Sequence, residues 1–155
     1  MEDFRKVIKK NAIQALITHE VTLLARTRER KDNKAQRYFN SSSTRDNFAK
    51  VMVHAQLTER YYSIAEICSL LAISRVATIS MVDDCVAEGW VTTIPGKRNS
   101  RLCQANDSLV SMAESWFDMH KKSIRDTGCD SHFRLLENLD QAIADQNRLQ
   151  NRISV

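Results

Sequence analysis

The residues that could do chemistry are few in this chain, and their spacing argues against catalysis. Asp83 and Asp84 are adjacent. On a helix such neighbours point about 100° apart, which makes them poor partners for acid–base work. Serines, histidines and aspartates occur without a spacing that links them into a nucleophilic constellation. The chain has no phosphate-binding loop, no Gly-x-Gly-x-x-Gly, no His-Glu-x-x-His and no Gly-x-Ser-x-Gly. His120, Cys129 and His132 could be imagined as metal ligands, but their spacing matches no standard site. The four cysteines, at 68, 85, 103 and 129, are far apart and form no Cys-x-x-Cys pair. Cys68 and Cys85 fall at apolar positions of helical patterns and read as buried, reduced thiols. A redox sensor would require an exposed thiol in electropositive surroundings. The expectation is therefore no enzyme, no cofactor and no metal.

The basic residues are more suggestive. Net charge is +4, so distribution matters more than the sum. Arg26 to Lys50 holds eight basic and three acidic residues, a local +5. A shorter cluster, Lys97, Arg98 and Arg101, surrounds a turn with no acid nearby. Either group could be a solvated face or a surface for a polyanion. Charge alone does not choose; the elements that carry these residues must.

Composition favours helices: 27% charged, 43% apolar, only 6% aromatic, with 3 Gly and 1 Pro. Residues 3 to about 28 lack breakers and carry Phe4, Ile8, Ala12, Ala15, Leu16, Leu23 and Leu24 at approximately helical spacing. The polar, basic stretch RERKDNKAQRYFNSSS follows and reads as a linker or a frayed helix end. STRD, from Ser43 to Asp46, resembles a capping box, and Phe48, Val51, Met52 and Ala55 give a core-facing stripe up to about Tyr61.

SIAE, from Ser63 to Glu66, repeats the capping signal and opens a short helix with Ile64, Ile67, Leu70 and Leu71 facing inward. Ser74 caps the next helix, which runs from Arg75 to about Glu88, and Gly89 stands where a left-handed residue is wanted. Two helices joined through Ala72-Ile73-Ser74 have the length and turn of a helix-turn-helix. WVTTI then reads as a strand, PGKRNS as a turn and RLCQA as a returning strand. Helix, helix and basic-tipped hairpin form the layout of a winged helix-turn-helix. An Asn106-Asp107 cap starts a helix through Arg125, with Leu109, Ala113, Trp116, Phe117, His120 and Ile124 along one side and Gly128 ending it. Trp116, Phe117 and His120 could line a pocket or pack as core. A last helix, from about Ser131, carries a narrow seam of Leu135, Leu139, Ala142, Leu149 and Ile153, with Gln146 in the missing place. Such a seam suits packing on another helix, in the same chain or in a second copy.

In a helix-turn-helix the N-terminal part of the second helix enters the major groove. Ser74, Arg75, Val76, Ala77 and Ser80 lie there. Asp84 lies about 15 Å further along the axis at the helical rise. The acids thus occupy the far end, with Asp83 expected to pair inside the domain. In the winged layout Lys97, Arg98 and Arg101 lie beside the DNA backbone. The predicted DNA-binding set is Ser74, Arg75, Val76, Ala77, Ser80, Lys97, Arg98 and Arg101.

Residues 63 to 101 resemble the winged helix-turn-helix of the MarR (multiple antibiotic resistance regulator) family. The residues that carry the likeness are SIAEICSLLAISRVATISMVDDCVAEGWV and the basic turn after it. Ser63 gives the family's polar start, Leu71-Ala72 its pair before the turn, Val82-Asp83 its second-helix motif and Gly89 the step into the wing. The resemblance implies a transcriptional regulator whose N- and C-terminal helices interlock as a homodimer over pseudo-palindromic double-stranded DNA, often released by a small-molecule effector or by oxidation. The family register buries Thr78, Met81, Val82 and Cys85 and leaves Val76 and Ile79 exposed. Either the helix is rotated or these two meet thymine methyl groups. Many family wings carry an Asp-Arg-Arg run in which the Asp orients an Arg; Pro95-Gly96-Lys97-Arg98-Asn99-Ser100-Arg101 has no such Asp.

The expected fold is mainly α with a small β-hairpin wing: a winged helix-turn-helix with N- and C-terminal dimerisation helices. Its expected divisions are 1–42 (helix and linker, dimerisation), 43–106 (DNA-binding) and 107–155 (dimerisation). No apolar run approaches the roughly 18 residues needed to cross a membrane. The charged start MEDFRKVIKK lacks a signal peptide's apolar core, so a cytoplasmic location is expected. A second reading keeps the fold but not the DNA: a winged-helix protein-interaction module, which the near-neutral second helix would suit.

Overall fold

The computed structural model describes residues 2–29 and 33–153 of the chain. Among them, helices α1 (Glu2–Glu29), α2 (Lys34–Phe39) and α3 (Ser43–Leu57) come first. A short strand β1 (Tyr62–Ser63) leads into α4 (Ile64–Leu71) and α5 (Arg75–Ala87). Strands β2 (Val91–Pro95) and β3 (Arg101–Ala105) precede α6 (Asp107–Thr127) and α7 (Cys129–Ile153). The chain divides into two compact units, Thr27–Phe117 and a helical unit of Met1–Arg26 with Asp118–Val155. The fold is mainly α with one small antiparallel sheet, and the Thr27–Phe117 unit is a winged helix-turn-helix.

That unit is built by local signals that its core then completes. Ser63 Oγ accepts from Glu66 N while the Glu66 carboxylate accepts from Ser63 N at 2.7 Å, so the expected capping box is formed at α4. Ala72 closes α4 in a left-handed conformation, with φ of 52°. The chain bends by 112° between α4 and α5, within the range of a helix-turn-helix. Ser74 Oγ caps α5 by accepting from Ala77 N. At its other end Gly89 has φ of +72°, while Trp90 N donates to Cys85 O and Gly89 N to Val86 O. This is the Schellman closure that the glycine announces.

Strand β3 pairs antiparallel with both β2 and β1, in the order β1-β3-β2. The hairpin register sets Pro95 opposite Arg101, and Lys97–Asn99 form a tight 3-10 turn at the tip. Gly96 is needed there because a Cβ would run into the Ser100 hydroxyl and approach Leu102 Cγ to 3.0 Å. Phe39, Phe48, Met52, Ile67, Val82, Cys85, Cys103 and Leu109 fill the core of the unit.

Three sequence expectations change. The segment read as a linker contains α2, capped by Asn33, with Phe39 fully buried and its ring centroid 5.3 Å from that of Trp90. So polar a stretch shows little apolar period, but Ala35 and Phe39, both buried on one side, anchor the short helix to the core. Residues 30–32 of that stretch lie outside the described residues. The α3 cap is Ser42 rather than Ser43, and Asp46 bonds to Lys50 instead of reaching back. Helix α3 ends at Leu57, short of Tyr61, because Tyr62 and Ser63 pair with Cys103 and Leu102. A two-residue strand is too short to show alternation in sequence.

In the helical unit, α1 buries Ile8, Ala12, Ala15, His19 and Leu23 along one face. His19 Nδ1 and Ser123 Oγ, both buried, are 2.8 Å apart. Arg5 donates to Asp140 at 2.6 Å, and the guanidinium holds that carboxyl below its usual range. The opposite face of α1 is also apolar: Phe4, Val7, Ile13, Ile17, Val21 and Leu24 are exposed. On α7, Leu135 and Leu149 of the predicted seam are exposed, and the side chain of Ile153 lies outside the described residues. Gly128, at φ of +66°, ends the α6 run, and α7 starts at Cys129, ahead of the expected Ser131.

Candidate nucleic-acid interface

Helix α5 is held by Thr78, Met81, Val82 and Cys85, all buried. This is the register that the resemblance implied, so the helix is not rotated. Ile79 is half-buried against the core, whereas Val76 is 79% exposed. Arg75, Ala77 and Ser80 are also exposed, and Ser74 is exposed with its hydroxyl committed to the cap. The first turn of α5 therefore presents one cation, one hydrocarbon and two small residues to solvent. The helix N-terminus adds its positive dipole end there.

The wing supplies a second set. Lys97 and Arg98 are exposed at the tip, and no ion pair involves them among the described residues. Arg98 and Asn99 both have left-handed backbones, φ of 54° and 57°, which turn the strand back. Arg101 differs. Its guanidinium donates to the Asp83 carboxylate at 2.5 Å, linking the base of the wing to α5. Asp83 pairs inside the domain, as expected; its partner, 18 positions away, is not legible in the sequence.

Asp84 is tied up as well, accepting from the Tyr38 hydroxyl at 3.0 Å. Burial is the largest of the effects that raise the Tyr38 pKa far above its usual value, so the phenol keeps its proton and remains a donor. The two acids of α5 each hold another element of the unit. Several cations of the Arg26–Lys50 stretch are paired within the unit too. Lys34 pairs with Glu88 at 2.6 Å beside a cleft of about 580 Å³ lined by α2, the end of α5 and Trp90. Arg45 lies 4.2 Å from the Tyr38 ring centroid, and Lys50 pairs with Asp46 at 2.6 Å. Arg75, Lys97 and Arg98, on α5 and the wing tip, face solvent.

The thiols are poor reactive groups. Cys85, Cys103 and Cys129 are buried, and Cys68 is half-buried with its sulfur 3.1 Å from Thr78 Oγ1. Burial pushes Cys85 up to about 12 and Cys103 up to about 11, so neither is a thiolate at neutral pH. Among the described residues no three His, Cys, Asp or Glu come together to hold a metal ion, and no single helix is long and apolar enough to cross a membrane. Trp116 and Phe117 are exposed rather than core, and Lys50 Nζ lies 5.8 Å from the Trp116 ring centroid.

No protein-family profile matches this chain, and no curated protein matches it. Solved structures do. The transcriptional regulator Tm0710 of Thermotoga maritima is similar at 14% identity over 96% of this chain and 97% of that one, with a TM-score of 0.48. Wild-type MarR of E. coli, in its apo form, is similar at 19% identity over 79% and 93%, with a TM-score of 0.46. A mutant of Lactococcus lactis ZitR is similar at 14% identity over 68% and 74%, with a TM-score of 0.44.

Proposed function

We propose that this protein is a sequence-specific regulator of transcription that binds double-stranded DNA as a homodimer on a pseudo-palindromic site. The observation that carries the reading is the uncovered, cap-ordered first turn of α5 in the same unit as a wing tip bearing two exposed cations. In this reading α5 enters the major groove by its N-terminal end, with Arg75 at the base edges. Lys97 and Arg98 neutralise backbone phosphates, which positions the unit without reading sequence. Arg101 acts through its bond to Asp83, keeping the wing at a fixed angle to the helix.

Support for the dimer comes from α1, whose outer face leaves Ile13, Ile17, Val21 and Leu24 exposed among the described residues. A second copy, engaged through residues 3 to 28 and 108 to 155, would cover it and set two α5 helices about one DNA turn, roughly 34 Å, apart. Burial of Cys85 and Cys103, which keeps both thiols protonated, disfavours release by oxidation at these two; a small-molecule effector is the alternative. The compartment would be the cytoplasm. A second reading, a winged-helix protein-interaction module without DNA binding, draws on the near-neutral first turns of α5, where Arg75 is the one cation. Gel shifts on genomic fragments across a salt series decide between them. A sequence-specific regulator retains particular fragments over random DNA as salt rises, whereas a protein-binding module shows only unselective retention that salt removes.

A further inference from the structure

The outward row of α5 runs Val76, Ser80, Asp83, opposite the buried Thr78, Met81, Val82 and Cys85. Asp83 belongs to Arg101, and Ile79 on the flank packs toward the core. Val76 alone combines an apolar side chain, 79% exposure and a place in the first turn. Its neighbours Ala77 and Ser80 are too short to shield it. A β-branched residue at an exposed helical position adds no helix stability of its own.

The floor of the major groove offers one apolar group, the C5-methyl of thymine, which 5-methylcytosine shares. Resting on the DNA-binding reading above, we infer that Val76 is a specificity-determining residue that recognises the methyl group of a 5-methylpyrimidine. Recognition is by contact and desolvation, with no hydrogen bond involved. It complements Arg75, whose fork suits the O6 and N7 atoms of guanine.

The test starts from PCR-amplified genomic fragments enriched by capture on the full-length wild-type protein. A short enriched duplex is resynthesised with deoxyuridine replacing thymidine one position at a time, which removes a methyl group and leaves every hydrogen-bonding edge in place. At the contacted thymines the wild type should bind about fourfold more weakly, the factor that burying one such carbon is worth. The Val76→Ser variant, checked for wild-type circular dichroism, should bind thymine and uracil duplexes equally at those positions. A second pool, amplified with 5-methyl-dCTP in place of dCTP, separates the two sources of the methyl group. Capture of 5-methylcytosine at the sensitive position supports recognition of either pyrimidine, and retention of thymine alone supports thymine. A wild type indifferent to uracil at every position overturns the inference and leaves DNA binding standing. So does a Val76→Ser variant that keeps full sensitivity. If no fragment is enriched, the DNA-binding reading falls and this inference falls with it.

Discussion

The Asp83 carboxylate on α5 accepts a 2.5 Å hydrogen bond from Arg101 at the start of β3. One residue thus fixes the wing to α5 and occupies that helix's outward face. Exposed ion pairs contribute about 0–1 kcal/mol, so Asp83→Asn should shift the urea midpoint little. It should raise affinity for random DNA, because a negative charge leaves the binding face and Arg101 is released. The ratio of specific to non-specific affinity should fall. Unchanged random-DNA binding, measured by fluorescence anisotropy, would show that this face does not approach DNA.

Arg75 is the one exposed cation in the first turn of α5. Arg75→Ala should cost about 1–3 kcal/mol of specific binding and relax preference at one base pair. An equal loss on random DNA would reassign Arg75 to a phosphate.

Neutralising Lys97 and Arg98 together should weaken specific and non-specific binding alike. The slope of log affinity against log salt should drop by about 1–2 units per subunit, because each phosphate left without its cation keeps its own counterion. A double mutant with the wild-type slope would remove the wing from the interface.

Light scattering at micromolar concentration should report twice the 17.8 kDa chain mass. Ile17→Asp with Leu24→Asp places charges on the exposed face of α1 without touching its buried face. The variant should be a folded monomer with weakened DNA binding. A wild-type monomer, or a variant that stays dimeric, would exclude α1 as the seam.

The capping box at α4 makes stability depend on pH. Hydrogen bonds from the Ser63 backbone and hydroxyl hold the Glu66 carboxyl below its ordinary value of 4.5. A carboxylate depressed in the folded state contributes stability above its unfolded pKa and loses it as pH falls through the lower folded one. The stability difference between wild type and Glu66→Gln should therefore be largest near neutral pH and shrink below about pH 4. Ser63→Ala should cost about 1 kcal/mol at pH 7. A pH-independent difference between wild type and Glu66→Gln would show that the charge of Glu66 contributes nothing.

Local signals determined much of this protein in advance. Ser63 with Glu66, Ser74, Gly89 and Asn106 mark helix ends through hydrogen bonds that span only a few residues, so their chemistry is readable without a fold. The apolar period of α5 and the strand–turn–strand pattern of the wing are equally local. Tertiary structure decided what depends on partners distant in sequence. Residues 34–39 become helical because Ala35 and Phe39 reach a core assembled with residues 48 to 109. Tyr62 and Ser63 become a strand because β3 offers a free edge. The partners of Asp83 and Asp84 are set only when the fold brings Arg101 and Tyr38 beside them. Whether an exposed side chain is spare or committed is a property of its neighbours in space. The same first turn of α5 thus holds a Ser74 that is used up and a Val76 that is not.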